Sequence, residues 1–284
     1  MSTEMAGQLP NFLYIGPDKA GSSWLHEVLI QHPEVYLSEA KDLYFFDRYY
    51  DRGMAWYASQ FRRATPEHLV VGEICQDYLF HPEAARRIRT CLGDDVRMMV
   101  TVREPAARAY SSYLYMLKHG IDVGSFGEAL QTRPELLEHG RYATHLRRFL
   151  EEFPAEQIHV AVFDDLQGDQ QTFIDAVTGW LKISQLHLDD EMQAARLPVS
   201  SARSTVAARL ARRAADWTRE HDGAEFVGRI KRSPLVQRAL YRPAPGLSGT
   251  LTAADARYVR DALRSEIADV ESMFGIELQR RWGW

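Results

Sequence analysis

Five short apolar runs alternate with longer stretches of helical periodicity, and this alternation is what most limits the fold. The runs are Phe12–Ile15, Val35–Leu37, Leu69–Ile74, Val96–Val102 and Ile158–Phe163, each flanked by turn-forming or charged residues. Each reads as a strand. Helical spacing marks Ser22–Gln31, Pro82–Cys91, Pro105–His119, Ala143–Phe153 and Gln170–Leu181. The first of these puts Trp24, Leu25, Val28 and Leu29 on one stripe and stops before Pro33. Strands separated by helices predict an α/β fold with a central, mostly parallel sheet flanked by helices. In such sheets ligands bind beyond the carboxyl ends of the strands.

The length of 284 residues suits one large domain, and we read residues 1–284 as such. Within it, residues 198–246 alternate arginine-rich pieces with Pro and Gly, as in "ARSTVAARLARRAADW" and "RIKRSPLVQRALYRPAPG". This stretch reads as a mobile or substrate-facing insertion, either a solvated face or one that meets an anion. Residues 250–284 close the chain with an amphipathic helix whose buried side is Leu263, Ile267, Val270 and Phe274.

A net charge of -5 excludes a general nucleic-acid binder, which is basic overall. The start, "MSTEMAGQLPN", has no basic, apolar leader, and no apolar run approaches the ~20 residues a membrane span needs. The expectation is a cytoplasmic chain without stable membrane insertion. Cys75 and Cys91 lack metal-ligand spacing, as do His26, His32, His81 and His119, so no metal site is expected.

Two stretches at predicted strand ends are built for anions. In "IGPDKAGSSWL", Gly21 lets backbone N–H groups approach an anion, Ser22 and Ser23 begin a helix with free donors, and Lys19 adds a full charge. In "VRMMVTVREPAARAYSSYLYMLKHG", Arg103 follows a strand, Pro105 suits the first helical position, and Ser111 lies two turns in, three residues after Arg108. An arginine fork with a hydroxyl grips phosphate well. Two separated sites suit a nucleotide phosphorylated at both ends of its ribose. The lysine precedes the glycine and no G-K-[ST] follows, which argues against a triphosphate loop.

"PDKAGSSWL" resembles the 5′-phosphosulfate loop of sulfotransferases that use 3′-phosphoadenosine 5′-phosphosulfate (PAPS), and "REPAARAYSSY" resembles their 3′-phosphate motif. "HPEVYLSEAKDLYFFD", "GMAWYASQF", "GRYATHLRRFLEEFPAEQIHVAVFDDL" and "FGIELQRRW" resemble blocks of the heparan-sulfate branch and its bacterial relatives. The resemblance implies a P-loop-like sulfotransferase fold, PAPS as donor, 3′-phosphoadenosine 5′-phosphate (PAP) as product, and no required metal. It gives Lys19 the bridge between 5′-phosphate and sulfuryl group, and wraps Ala20, Gly21, Ser22, Ser23 and Trp24 around that phosphate. Trp24 either lies on the adenine or packs in the core. Arg103 and Ser111 are given the 3′-phosphate, with Ser200 and Arg203 of "LPVSSARS" as a late loop beside it. Phe163 stands where cytosolic relatives carry a tyrosine near the nucleotide.

The implied reaction moves a sulfuryl group to a hydroxyl, or less readily an amine, of a saccharide or small metabolite. Asp42 in "AKDLYFFD" matches the place of the branch's catalytic glutamate and is the first candidate base. Glu73 in "GEICQDYLF" is the second, or else organises Lys19. Tyr44 takes a place where some relatives have histidine, and Ile74 replaces a substrate-side lysine. The aromatic run "LYFFDRYYDRGMAWY" forms core or one wall of an acceptor pocket. The competing readings are a nucleotide kinase and a non-catalytic glycan- or nucleotide-binding module on the same fold.

Overall fold

The structure is a computed structural model and describes residues 8–194, 200–202, 241–243 and 251–284. The chain divides into two compact units, Met1–Arg103 with Thr144–Leu197, and Glu104–Ala143 with Pro198–Trp284.

The first unit is built on a five-stranded, fully parallel sheet of β1 (Phe12–Gly16), β2 (Val35–Leu37), β3 (Val70–Ile74), β4 (Arg97–Val102) and β5 (Ile158–Val162). The order across it is β2-β3-β1-β4-β5, so β1 is central. All five residues of β1 are buried, as expected of a strand covered on both faces. Phe12 and Tyr14 pack with Met99 and Ala161 under two helices, α1 (Ser22–Leu29) and α9 (Gln170–Leu181). The predicted apolar stripe of α1 lies in this cluster, and Phe173, Ile174, Val177 and Leu181 supply the α9 side. Asp169 starts α9 by accepting bonds from the amides of Gln171 and Thr172.

Shorter helices fill the connections: α2 (Gly53–Ser59), α3 (Ala84–Leu92), α7 (Tyr142–Leu150), α8 (Phe163–Gly168) and α10 (Asp190–Ala194). Phe163 was expected to end the last strand. Instead it opens α8, whose first turn carries Asp164 and Asp165, an arrangement favoured at a helix amino end.

In the second unit α4 (Pro105–Lys118) begins with Pro105 and is capped by Glu104, which accepts from the Ala107 amide and from Arg260 Nε. Ser125 and Glu128 form a reciprocal cap on α5 (Phe126–Thr132), followed by α6 (Glu135–Glu138). Ala106, Ala109 and Tyr113 pack with Phe126, Leu130, Leu136 and with Val259 and Leu263 of α11 (Ala253–Phe274). The chain ends with α12 (Leu278–Trp282). Leu263, Ile267 and Val270 are buried as expected, but Phe274 is only half-buried, because the helix ends there at the left-handed Gly275. Of the arginine-rich segment, the described residues are β6 (Ser200–Ala202) and β7 (Tyr241–Pro243), paired antiparallel. The rest of it lies outside the described residues. No helix among the described residues is long and apolar enough to cross a membrane.

Gly72 is paired with Phe12 across β3 and β1, in the interior of the sheet. A Cβ there would press into the Phe12 carbonyl, a backbone atom with no room to yield. Gly72→Ala should therefore destabilise the fold by at least about 2 kcal/mol, in the range of core overpacking. The denaturant midpoint measures it.

Candidate active site

Because the sheet is parallel, the chain leaves every strand at the same edge. Within the first unit, the ends of β1 to β5 and the residues that directly follow them carry most of the residues that the sequence singles out.

The segment after β1 turns sharply into α1. Gly16, Lys19 and Gly21 all have positive φ, at 141°, 62° and 90°. The pairing of β1 with β4 slips register between Tyr14 and Gly16, just before the turn. A side chain at Gly21 would meet Leu166 Cδ2 at 2.5 Å and the Phe163 ring at 3.3 Å, so a residue with no Cβ lets the loop lie against α8. The amides of Ser22, Ser23 and Trp24 precede the first helical bond, from the Leu25 N–H to the Gly21 carbonyl at 3.0 Å. No side chain caps this end of α1 and no acid stands in its first turn. These donors, with Lys19 beside them, form an electropositive cradle. Ala20 and Ser22 are buried, while Lys19 and Ser23 are partly exposed.

Arg103, at the end of β4, fastens this cradle. Its Nη1 donates to the Lys19 carbonyl at 2.7 Å, and its guanidinium lies 4.5 Å from the Phe163 ring centroid. Lys19 holds an uncommon left-handed conformation, and this bond helps fix it. Phe163 thus packs against both Gly21 and Arg103, a role that only the fold reveals. Trp24 takes the core alternative: it is buried, its Nε1 donates to the Met192 carbonyl at 3.1 Å, and its ring meets Phe173 edge-on.

Ser111 belongs to the second unit, on α4, and is partly exposed. Arg108 is fully buried there and donates to the Leu136 carbonyl at 2.5 Å, so it is a core arginine. Ser200 starts β6, opposite Pro243. Arg203 lies outside the described residues.

On the other side of β1, the segment after β2 folds over the end of β3. Asp42 and Tyr44 both have positive φ, 62° and 56°. The Asp42 amide donates to the Ile74 carbonyl at 2.8 Å, and the Gln76 amide donates to Asp42 Oδ1 at 3.3 Å. Lys41 Nζ pairs with the same carboxylate at 2.9 and 3.0 Å. The Arg48 guanidinium lies over the Tyr44 ring at 4.1 Å and is ion-paired with Asp77. Ile74, which stands in for a lysine, is wholly in the core.

Glu73 sits one residue before, 0% exposed on β3. Its Oε1 accepts from Tyr57 Oη at 2.7 Å and from Tyr78 Oη at 2.8 Å. Its Oε2 is buried with no hydrogen-bond partner among the described residues. Tyr57 stacks on Phe45 at 4.4 Å and meets Phe46 and Phe61 edge-on, so the aromatic run is chiefly a box around this acid. Tyr57 and Tyr78 were not among the predicted site residues. The sequence signals for them are their places in the two blocks "GMAWYASQF" and "GEICQDYLF", and for Tyr57 also the end of the aromatic run "LYFFDRYYDRGMAWY".

Comparison with known proteins now decides the family. Residues 9–221 match the family described as "Sulfotransferase domain". The chain belongs to that family. It is 31% identical over 195 residues to the human heparan sulfate glucosamine 3-O-sulfotransferase 3A1, covering 66% of this chain and 47% of that protein. To the Caenorhabditis briggsae bifunctional heparan sulfate N-deacetylase/N-sulfotransferase 1 it is 26% identical over 209 residues, 65% of this chain and 24% of the relative. The chain thus spans half or less of the length of these two relatives. Among solved structures, a sulfotransferase from Alicyclobacillus acidocaldarius aligns with a TM-score of 0.57 and 22% identity, over 81% of this chain and 98% of that one, and it shares the fold.

In this sulfotransferase domain the two candidate bases sit in different surroundings. Burial pushes the Glu73 carboxyl up to about 8, and Asp47 and Asp42 push the same way against the two tyrosine hydrogen bonds. Burial also raises the Asp47 carboxyl and holds the Tyr57 and Tyr78 phenols far above their ordinary range. With its folded value above the ordinary 4.5, Glu73 holds its proton longer folded than unfolded. Its contribution to stability is complete below about pH 4.5 and is lost as pH rises toward about 8. Glu73→Gln keeps an acceptor for the tyrosines and cannot ionise. Its melting temperature should therefore gain on wild type between about pH 5 and pH 8.5, and a constant gap would contradict the shift.

Proposed function

We propose that the chain transfers a sulfuryl group from PAPS to a hydroxyl of a saccharide or small metabolite, with Asp42 accepting the proton. The observation that carries this reading is the uncapped amino end of α1 joined to Lys19 and tied to Arg103, in a chain of the sulfotransferase domain family. The cradle supplies amides and a cation for the 5′-phosphosulfate, and Arg103 brings a second charge from the next strand for the 3′-phosphate. The relatives named for heparan sulfate favour a saccharide acceptor, and a hydroxyl is favoured over an amine by the 3-O-sulfotransferase likeness.

The acceptor oxygen attacks sulfur while the bond from sulfur to the bridging phosphate oxygen breaks. The acceptor proton passes to a carboxylate, and PAP leaves with the electron pair on its phosphate. Lys19 offsets the charge that develops on that oxygen, an interaction stronger in the transition state than before it. The amides of the α1 turn are already oriented and need no rearrangement as charge grows. The family resemblance implies that this proceeds without a metal.

Asp42 suits the proton better than Glu73. It lies in the segment folded over the strand ends, held by the Gln76 amide and paired with Lys41. Glu73 is enclosed and has both phenols on one oxygen.

Incubation with sulfur-labelled PAPS and a panel of saccharides and small alcohols tests the activity, read as label in an acceptor. Phosphate transfer from ATP with magnesium would favour a kinase instead, and PAP binding without turnover would favour a binding module. Lys19→Ala should lower turnover by roughly 10²–10³-fold at saturating donor, as loss of one charge-stabilising donor does. Asp42→Asn should lower it by about 10²–10⁴-fold and leave PAP affinity, measured by calorimetry, nearly unchanged.

A further inference from the structure

We propose that Glu73 is a positioning residue that works in its neutral form: with Tyr57 and Tyr78 it clamps the segment bearing Asp42, and it does not take the acceptor's proton. This rests on the sulfotransferase reading above, and on the following geometry.

Tyr78 is the pivot. Its hydroxyl donates to Glu73 Oε1 at 2.8 Å and accepts from the Phe45 amide at 2.9 Å. Phe45 directly follows Tyr44 and lies three residues after Asp42, the two left-handed residues of the segment. Such conformations at non-glycine positions persist only where the surroundings hold them. Bonds that do so include those from the Phe45 amide to Tyr78, from the Asp42 amide to the Ile74 carbonyl, and from the Gln76 amide to Asp42 Oδ1. The first reaches β3 through the Glu73 carboxyl. The second ends on the residue next to Glu73.

The hydrogen-bond pattern assigns the protonation state. Oε1 accepts two phenol protons at 2.7 and 2.8 Å, as a carbonyl-type oxygen does, while Oε2 lies buried without a partner among the described residues. An ionised carboxylate would leave a charged oxygen unsolvated there, whereas a protonated one places its hydrogen on Oε2 and keeps both phenol bonds. Among the described residues, the groups that act most on it include no cation. They are Tyr57 from α2, Cys75 and Tyr78 after β3, and Asp42 and Asp47 after β2, with Lys41 committed to Asp42. An added negative charge would stand beside two carboxylates. Raised to about 8, the Glu73 carboxyl is roughly nine-tenths protonated at pH 7. Charging Glu73 loosens the clamp, so transfer should fall on the alkaline side as this group ionises.

Three readouts test this on the full chain. Wild type at pH 7 should show the infrared band of a protonated buried carboxyl, absent in Glu73→Gln. Turnover of Glu73→Gln should stay within roughly tenfold of wild type, against the ~10²–10⁴-fold loss expected for a missing general base. The wild-type fall in kcat near pH 8 should be absent from its profile. Glu73→Ala should lose more turnover than Glu73→Gln and lose hydrogen-exchange protection at the Phe45 amide. Three results would each overturn the proposal: no protonated-carboxyl band, an inactive Glu73→Gln with intact melting and PAP binding, or an unchanged alkaline limb in that variant. The infrared and exchange measurements need no turnover. If wild type transfers no sulfate, the activity reading fails while these two still decide whether the neutral clamp exists.

Discussion

The placement of β1 between β3 and β4 is the constraint on which the rest of the first unit depends. A parallel sheet sends every chain exit to one edge, and a central first strand puts the anion cradle in the middle of that edge. From β4 comes Arg103, bonded to the Lys19 carbonyl. The β3 side contributes Glu73 and the carbonyl that receives the Asp42 amide. Close approach of β1 and β3 at Gly72 keeps this geometry compact.

Both signs of charge occur on each side of that edge, and it is the surroundings of particular groups that differ. Lys19, Arg103 and the amino end of α1, which no side chain caps among the described residues, lie after β1 and β4, where a phosphosulfate would sit. Asp42, Asp47 and Glu73 lie on or after β2 and β3, on the side where the proposed reaction would remove a proton. Asp42 and Glu73 show how far surroundings separate two like groups. One is ion-paired to Lys41 and bonded to a backbone amide; the other is sealed among Phe45, Tyr57 and Tyr78, where burial raises its carboxyl above the ordinary range. The proposed roles, Asp42 as base and Glu73 as neutral positioning acid, suit chemistry that relies on orientation and electrostatics.

Much of the site was legible because its signals are local. "GPDKAGSS" contains the positions that need positive φ and the start of α1, and "REPAARAY" contains the first-turn proline of α4. Family resemblance then connected these pieces to PAPS. Less legible was the boundary at Phe163, since an apolar residue after an apolar strand gives no hint that two following aspartates start a helix. Phe274 was placed on the buried side by periodicity alone, which cannot tell where a helix outruns its partner. Arg108 looked like a companion of Ser111, yet the Leu136 carbonyl draws it into the core.

By itself the sequence determined the parallel α/β architecture, the order of its strands and helices along the chain, and the tight turn with Lys19 and Gly21 at the end of the first strand. These follow from side-chain periodicity and from residues whose backbone preferences act over a few positions. Only the tertiary structure decided the burial of Glu73 among tyrosines, the hydrogen bonds that join Glu73, Tyr78 and Phe45, and the packing of Phe163 on both Gly21 and Arg103. Desolvation and charge at one carboxyl are sums over groups brought together from Asp42, Asp47, Tyr57 and Tyr78, and no local pattern carries that sum.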